Sequence, residues 1–208
     1  MKNIAVFASG SGSNFIKINE NIINNNINGK IKVLISNNPR CGAVEYAIKN
    51  NINFKIINNH RYPEKKIKDK EYQNILNKSE IDLILLAGFM KKIPFSIIEN
   101  FKNKIMNIHP SILPSFGGAG FYGIKVHEAV IESGNKLTGA TVHFVDEEYD
   151  RGPIIFQKSI DVLSDDSPTD LSKKVLKIEH EIYSKVVKYY CENKIKIIKD
   201  KVVISEWN

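Results

Sequence analysis

The run Ile81-Asp-Leu-Ile-Leu-Leu-Ala87 limits what this chain can fold into more than any other stretch. It is apolar at nearly every position and is closed by Gly88. A strand with one wet face alternates apolar and polar residues. A strand that is apolar throughout needs cover on both faces, as in the centre of a parallel sheet. Apolar runs of similar length stand at Ile4–Ala8, Ile31–Ile35, Phe54–Ile57 and Ile105–Ile108. Between the first four lie amphipathic segments of helical length, Asn14–Asn25, Gly42–Asn50 and Pro63–Lys78. That alternation predicts βαβ units.

After Pro114 the texture changes. Ser115–Gly123 holds four glycines and reads as a loop, followed by a short helix around Lys125–Glu132. Leu137–Val145 and Pro153–Ile160 read as two strands joined by the acidic turn Asp146-Glu-Glu-Tyr-Asp150, which suggests an antiparallel pair. Ser167-Pro-Thr-Asp170 offers a hydroxyl cap to a long C-terminal helix with apolar positions at Leu171, Val175, Ile178, Ile182 and Val186. The tail from about Lys194 reads as a short final strand. The expected fold is α/β: a mainly parallel twisted sheet with flanking helices and an antiparallel C-terminal strand pair. One soluble domain over residues 1–208 is the expected organisation.

Composition excludes several classes. No apolar run approaches the roughly twenty residues needed to span a membrane. The N-terminal apolar run is ended by Gly10-Ser-Gly-Ser-Asn14, too soon for a secretory signal. Cys41 and Cys191 are far apart, without metal-ligand spacing, so free thiols in a reducing cytoplasm are expected. The net charge of +7 comes from lysines scattered along an Asn/Ile/Lys-rich chain, not from a basic arm. Small anionic ligands, with neither nucleic acid nor membrane as partner, are therefore expected.

The chemistry concentrates in a few motifs. In Asn107-Ile-His109-Pro-Ser-Ile-Leu-Pro114 the Asn and His are two apart, so an extended segment sends both side chains to one face. An amide can donate to a developing oxyanion while an imidazole moves a proton. The same pair also suits a turn cap beside a satisfied histidine. Asp150-Arg-Gly-Pro153 and Thr141-Val-His143-Phe-Val-Asp146 supply carboxylates to orient an imidazole. Ser9-Gly-Ser-Gly-Ser-Asn14, between a strand and a helix, suits an anion site or simply a tight turn. It is neither a dinucleotide fingerprint nor a P-loop. Ala87-Gly-Phe-Met90 ends the buried strand with an apolar wall for a flat ring, unless Phe89 and Met90 only pack a helix.

Together these motifs, with Glu179-His180, resemble the phosphoribosylglycinamide formyltransferase family, over essentially the whole chain and in the family's order. The resemblance implies a Rossmann-like sheet and transfer of formyl from 10-formyltetrahydrofolate to a glycinamide amine, in the cytoplasm, with no metal. It implies catalytic roles for Asn107, His109 and Asp150. It puts the phosphate loop on Gly12, Ser13, Asn14, Phe15 and Ile16, and a ribosyl contact on Glu179. The folate cleft falls on Lys65, Met90, Lys91, Lys92, Ile93, Asn107 and the loop from Asp146 to Asp150. Lys65 stands where the family usually has Arg, and Lys cannot form a bidentate fork. Relatives have a cis bond at the position of Leu113-Pro114. Small-molecule partners and a monomer or homodimer are expected.

Three alternatives share parts of the pattern. Methionyl-tRNA formyltransferase resembles a longer chain with a C-terminal barrel that this sequence lacks. Formyltetrahydrofolate deformylase, a hydrolase, carries a preceding regulatory domain, whereas here the catalytic motifs begin near Met1. A catalytically silent folate-binding protein would not need Asn107, His109 and Asp150 together.

Overall fold

The computed structural model describes residues 1–199 and 201–205. The chain forms two compact units, Met1–Met106 and Asn107–Asn208. In chain order the first contains β1 (Lys2–Phe7), α1 (Ser13–Ile23), β2 (Gly29–Ser36), α2 (Gly42–Lys49), β3 (Phe54–Ile56), α3 (Lys65–Lys78), β4 (Leu83–Leu86) and α4 (Phe95–Asn100). The strand β5 (Ile105–His109) runs from the first unit into the second. The second continues with α5 (Ile124–Glu132), β6 (Leu137–Phe144), β7 (Ile154–Asp161), α6 (Pro168–Cys191), β8 (Ile195–Ile198) and β9 (Lys201–Ile204).

In the first unit the strand order is β3-β2-β1-β4, followed by the start of β5. β1 pairs in parallel with both β2 and β4, and β2 with β3. All four residues of β4 are buried, as an apolar strand covered on both faces requires. Each such Leu or Ile contributes about 1.5–3 kcal/mol on burial. Within the second unit, the end of β5 is followed by β6 and then β7, and β6 pairs antiparallel with β7. The expected α/β class, Rossmann-like and mainly parallel with flanking helices and an antiparallel pair, is the fold observed.

Two details differ from expectation. The tail forms a hairpin, β8 against β9, where one strand was anticipated. The helix α4 went unread because six residues are too few to display a helical period. The cap of α6 is as expected: Ser167 Oγ accepts from the Asp170 N–H at 3.1 Å, with Pro168 in the first turn. Its buried stripe keeps the helical period through Leu171, Val175, Ile182 and Val186, but the position between Val175 and Ile182 is filled by buried Glu179, and Ile178, expected there, is only half-buried.

Close backbone approach decides two glycines of the second unit. A Cβ on Gly139 would stand 2.0 Å from the Lys158 carbonyl oxygen across the β6–β7 ladder. A Cβ on Gly152 would stand 2.0 Å from the Phe144 carbonyl oxygen. Neither contact has a flexible side chain to yield. Gly139→Ala is therefore expected to destabilise the fold by about 1–3 kcal/mol, the usual cost of overpacking, in urea unfolding. An unchanged midpoint would show that the ladder can spread at no cost.

Candidate active site

The β5 strand ends at His109, and its alternation puts Asn107 and His109 on one face, as the spacing predicts. The turn that follows is held from beneath by β6 and β7. Thr141 Oγ1 accepts from the Leu113 N–H (3.0 Å) and donates to the Ser111 carbonyl (2.7 Å). Gln157 Nε2 donates to both the Leu113 carbonyl and Thr141 Oγ1 at 2.9 Å. The Leu113–Pro114 bond is cis.

Asp150 reaches this face from the far end of the acidic turn. Its Oδ2 lies 3.5 Å from His109 Nδ1, and its Oδ1 lies 3.5 Å from His143 Nε2. The Asn107 amide Nδ2 is 3.4 Å from Oδ1, and the Gly118 N–H donates to Oδ2 at 2.9 Å. Burial alone raises the Asp150 pKa, but the His143 contact, the nearby His109 and the Gly118 N–H outweigh it. The carboxyl group is held below its ordinary value. Its backbone is left-handed, φ 57°, a conformation that Asp tolerates better than most residues. Gly152, pressed on the Phe144 carbonyl, is the close contact by which the loop turns back to present that carboxylate.

His109 is buried, with both ring nitrogens facing acceptors: Nδ1 toward Asp150, and Nε2–H donating to the Phe116 carbonyl at 2.8 Å. Burial is the largest influence and pushes its pKa down. Asp150 and the Phe116 carbonyl pull it up, and His143 adds to the lowering. The ring is thus neutral near pH 7 but is set to become an imidazolium beside a carboxylate when it takes a proton. Phe116 is itself left-handed at φ 54°, unusual for a bulky side chain.

Two histidines without an assigned role belong to this neighbourhood. His143 lies in the motif singled out in the sequence, and its Nε2 is 3.1 Å from Asn107 Nδ2. His127 on α5 is buried, and its Nδ1 has no hydrogen-bond partner among the described residues. Burial, with a smaller contribution from His109, pushes its pKa down to about 4. Nothing in the sequence marks His127, because a single His on an apolar helix face carries no spacing signal.

The remaining expected residues are placed as follows. Gly12 is the left-handed N-cap of α1, at φ 75°, and a Cβ there would stand 2.7 Å from Ala43 Cβ. The N–H groups of Ser13, Asn14 and Phe15 occupy the first turn, where no intrahelical acceptor exists. The Ile16 N–H already donates to the Gly12 carbonyl at 2.8 Å. The Phe15 ring is core, edge-on to Tyr46. At the end of β4, Ser9 Oγ accepts from the Met90 N–H at 2.8 Å while donating to Asn37 Oδ1. Phe89 packs edge-on against Phe7, the structural alternative, whereas the Met90 side chain is exposed. Lys91 and Lys92 are exposed, Ile93 is buried, and Lys65 is exposed at the start of α3. Asp146 Oδ1 accepts from the Glu148 N–H, and Glu179 is buried.

A carboxylate thus lies between two imidazoles at the end of β5, a grouping of the kind that can move protons. The chain belongs to the formyl transferase family, whose model matches residues 2–187. It is 45% identical over 206 residues to a chloroplastic phosphoribosylglycinamide formyltransferase of Arabidopsis thaliana, covering 99% of this chain and 70% of that protein. A second chloroplastic relative, from Vigna unguiculata, is 43% identical over 99% of this chain and 66% of its own length. Among solved structures, glycinamide ribonucleotide transformylase 1 from Symbiobacterium toebii superposes with a TM-score of 0.91. It is 33% identical, over 98% of this chain and 94% of that one.

These relatives correct one expectation. The cytoplasmic placement rested on composition and cysteine count, yet the plant relatives are named chloroplastic. Organelle addresses are read from leader segments apart from the folded domain, so core composition carries no such address.

The buried histidine generates a pH prediction. An unfolded chain protonates histidine near pH 6.5, whereas folded His127 stays neutral to about pH 4. Between those values the unfolded state binds more protons, so stability falls on acidification. His127→Leu is expected to show a smaller fall in Tm between about pH 6.5 and pH 4 than the parent protein. Parallel Tm profiles would exclude His127 as a source of the acid sensitivity.

Proposed function

We propose that this chain transfers the formyl group of 10-formyltetrahydrofolate to the amine of N1-(5-phosphoribosyl)glycinamide, a step of de novo purine (IMP) biosynthesis. The observation that carries the reading is the buried Asn107–His109–Asp150 cluster in a chain 45% identical to a protein named for that reaction. Both plant relatives support placing the reaction in a plastid. We read residues 1–208 as one formyltransferase domain, acting as a monomer or homodimer on small-molecule substrates.

The chemistry follows from the cluster. The glycinamide nitrogen attacks the formyl carbon, and the carbonyl electrons move onto oxygen. An Asn107 amide N–H and the His109 ring stabilise that oxyanion. As the tetrahedral intermediate collapses, the bond to folate N10 breaks, and N10 needs the proton that the amine has lost. His109 carries the proton to N10, and Asp150, held ionised, favours the imidazolium that appears on the way. No covalent enzyme intermediate is needed.

The binding roles are proposed from the family's pattern. Gly12 lets the chain turn so that the amides of Ser13, Asn14 and Phe15 face a phosphate, with Ile16 closing the first turn. Glu179 contacts the ribosyl substrate. Lys65, Met90, Lys91, Lys92, Ile93, Asn107 and Asp146 contact the folate, the lysines through its carboxylates.

The purified protein is expected to make formylglycinamide ribonucleotide from 10-formyltetrahydrofolate only when the amine substrate is present. Release of formate at the same rate without the amine would make it a deformylase instead, and failure to turn over folate at all would leave a silent binding protein. Asp150→Asn should lower kcat by at least about 100-fold while KM for both substrates changes little. Steady-state kinetics with undiminished kcat would remove Asp150 from the mechanism.

A further inference from the structure

We propose that His143 is a positioning residue, which pins the nitrogen end of the Asn107 amide inside the cluster and so keeps an N–H available to the oxyanion. The inference rests on the formyl-transfer reading given above. His143 is the next-to-last residue of β6, and the pairing with β7 slips between Val142 and His143. The skipped residue, Ile155, is on β7, so the bulge bends that strand opposite His143. The ring is almost completely buried, with 2% of the residue exposed.

Nδ1 of His143 has one neighbour, the Phe144 carbonyl, whereas Nε2 faces the Asn107 amide nitrogen at 3.1 Å and, farther off, Asp150 Oδ1 at 3.5 Å. Nδ1 is 2.8 Å from the Phe144 carbonyl, which can only accept, so Nδ1 carries the proton. That carbonyl is itself immobilised, because Gly152 lies so close that it has no room for a Cβ. In the tautomer with the proton on Nδ1, Nε2 offers a lone pair. The Asn107 amide, 3.1 Å away, can satisfy that lone pair only with Nδ2–H.

The orientation of Asn107 follows. An amide nitrogen has two hydrogens, and the second points toward Asp150 Oδ1 at 3.4 Å. That contact is long, so this hydrogen is weakly engaged and can be given to an oxyanion that arrives beside it at small loss. The His143 contact is the shorter and holds the amide plane. Rotating the amide by half a turn would set its oxygen against both the Nε2 lone pair and a carboxylate. His143 thereby acts on the reaction through Asn107 and touches neither substrate. Removal of comparable supporting groups costs about 10–100-fold in activity.

The test compares His143→Leu, which keeps bulk but has no acceptor, with His143→Gln, whose Oε1 can stand near the position of Nε2. In His143→Leu, kcat should fall about 10–100-fold with KM for both substrates within about threefold of the parent. His143→Gln should recover most of that loss. A Leu variant with kcat within about threefold of the parent overturns the proposal. So does a Gln variant as slow as Leu when the two have the same Tm, because a purely structural role would not separate them. A second measurement needs no turnover: ¹⁵N NMR of the parent protein at about pH 8, where an unperturbed histidine is neutral, reports which ring nitrogen carries the proton. Protonated Nδ1 and bare Nε2 are expected for His143. A proton on Nε2 overturns the proposal even if the formyl-transfer reading stands, whereas absence of formyl transfer with the expected tautomer counts against that reading alone.

Discussion

A carboxylate almost removed from water organises the side chains around the end of β5. The Asp150 side chain is 11% exposed, and a bare anion so placed would be costly without compensation. Compensation comes from the Gly118 N–H and an Asn107 amide hydrogen, with His109 and His143 set against opposite oxygens. Each of those groups is fixed elsewhere: Asn107 and His109 on β5, His143 on β6 opposite the bulge of β7, Gly118 in the loop whose carbonyl at Phe116 meets His109. The left-handed backbone at Asp150 and Phe116 is tolerated because these contacts determine it from several sides.

The second unit is built to hold that arrangement still. Thr141 and Gln157 engage the Leu113 N–H and the carbonyls of Ser111 and Leu113, so the turn after His109 cannot drift without stranding these hydrogen bonds. Gly139 and Gly152 let backbones approach closer than any side chain allows. In the first unit the same economy appears at Ser9, whose one hydroxyl joins the loop after β2, through Asn37, to the loop after β4, through Met90. In each unit, loops tied to strand ends by single side chains hold their polar groups in place.

Much of this was legible in the residues. The unbroken apolar run at β4 required a covered strand, and the alternating segments around it required helices between parallel strands. Asn107 and His109 had to share a face once β5 was recognised. Other features had no local signal. The six residues of α4 show less than two turns, and the burial of Glu179 on an otherwise apolar stripe of α6 follows the period but contradicts the residue type. The apolar wall expected from Phe89 and Met90 is half packing, because Phe89 leans on Phe7.

By itself the sequence determined the class of fold, the order of elements and the short list of reactive residues, because hydrophobic period, turn chemistry and side-chain type are local properties. Only the tertiary structure decided which of those residues meet. Asn107 finds His143 across 36 positions and Asp150 across 43, distances over which no spacing rule operates. The state of His109 is likewise a result of packing. Burial drives its pKa down while Asp150 and the Phe116 carbonyl oppose it, and that balance exists only when the loops are in place.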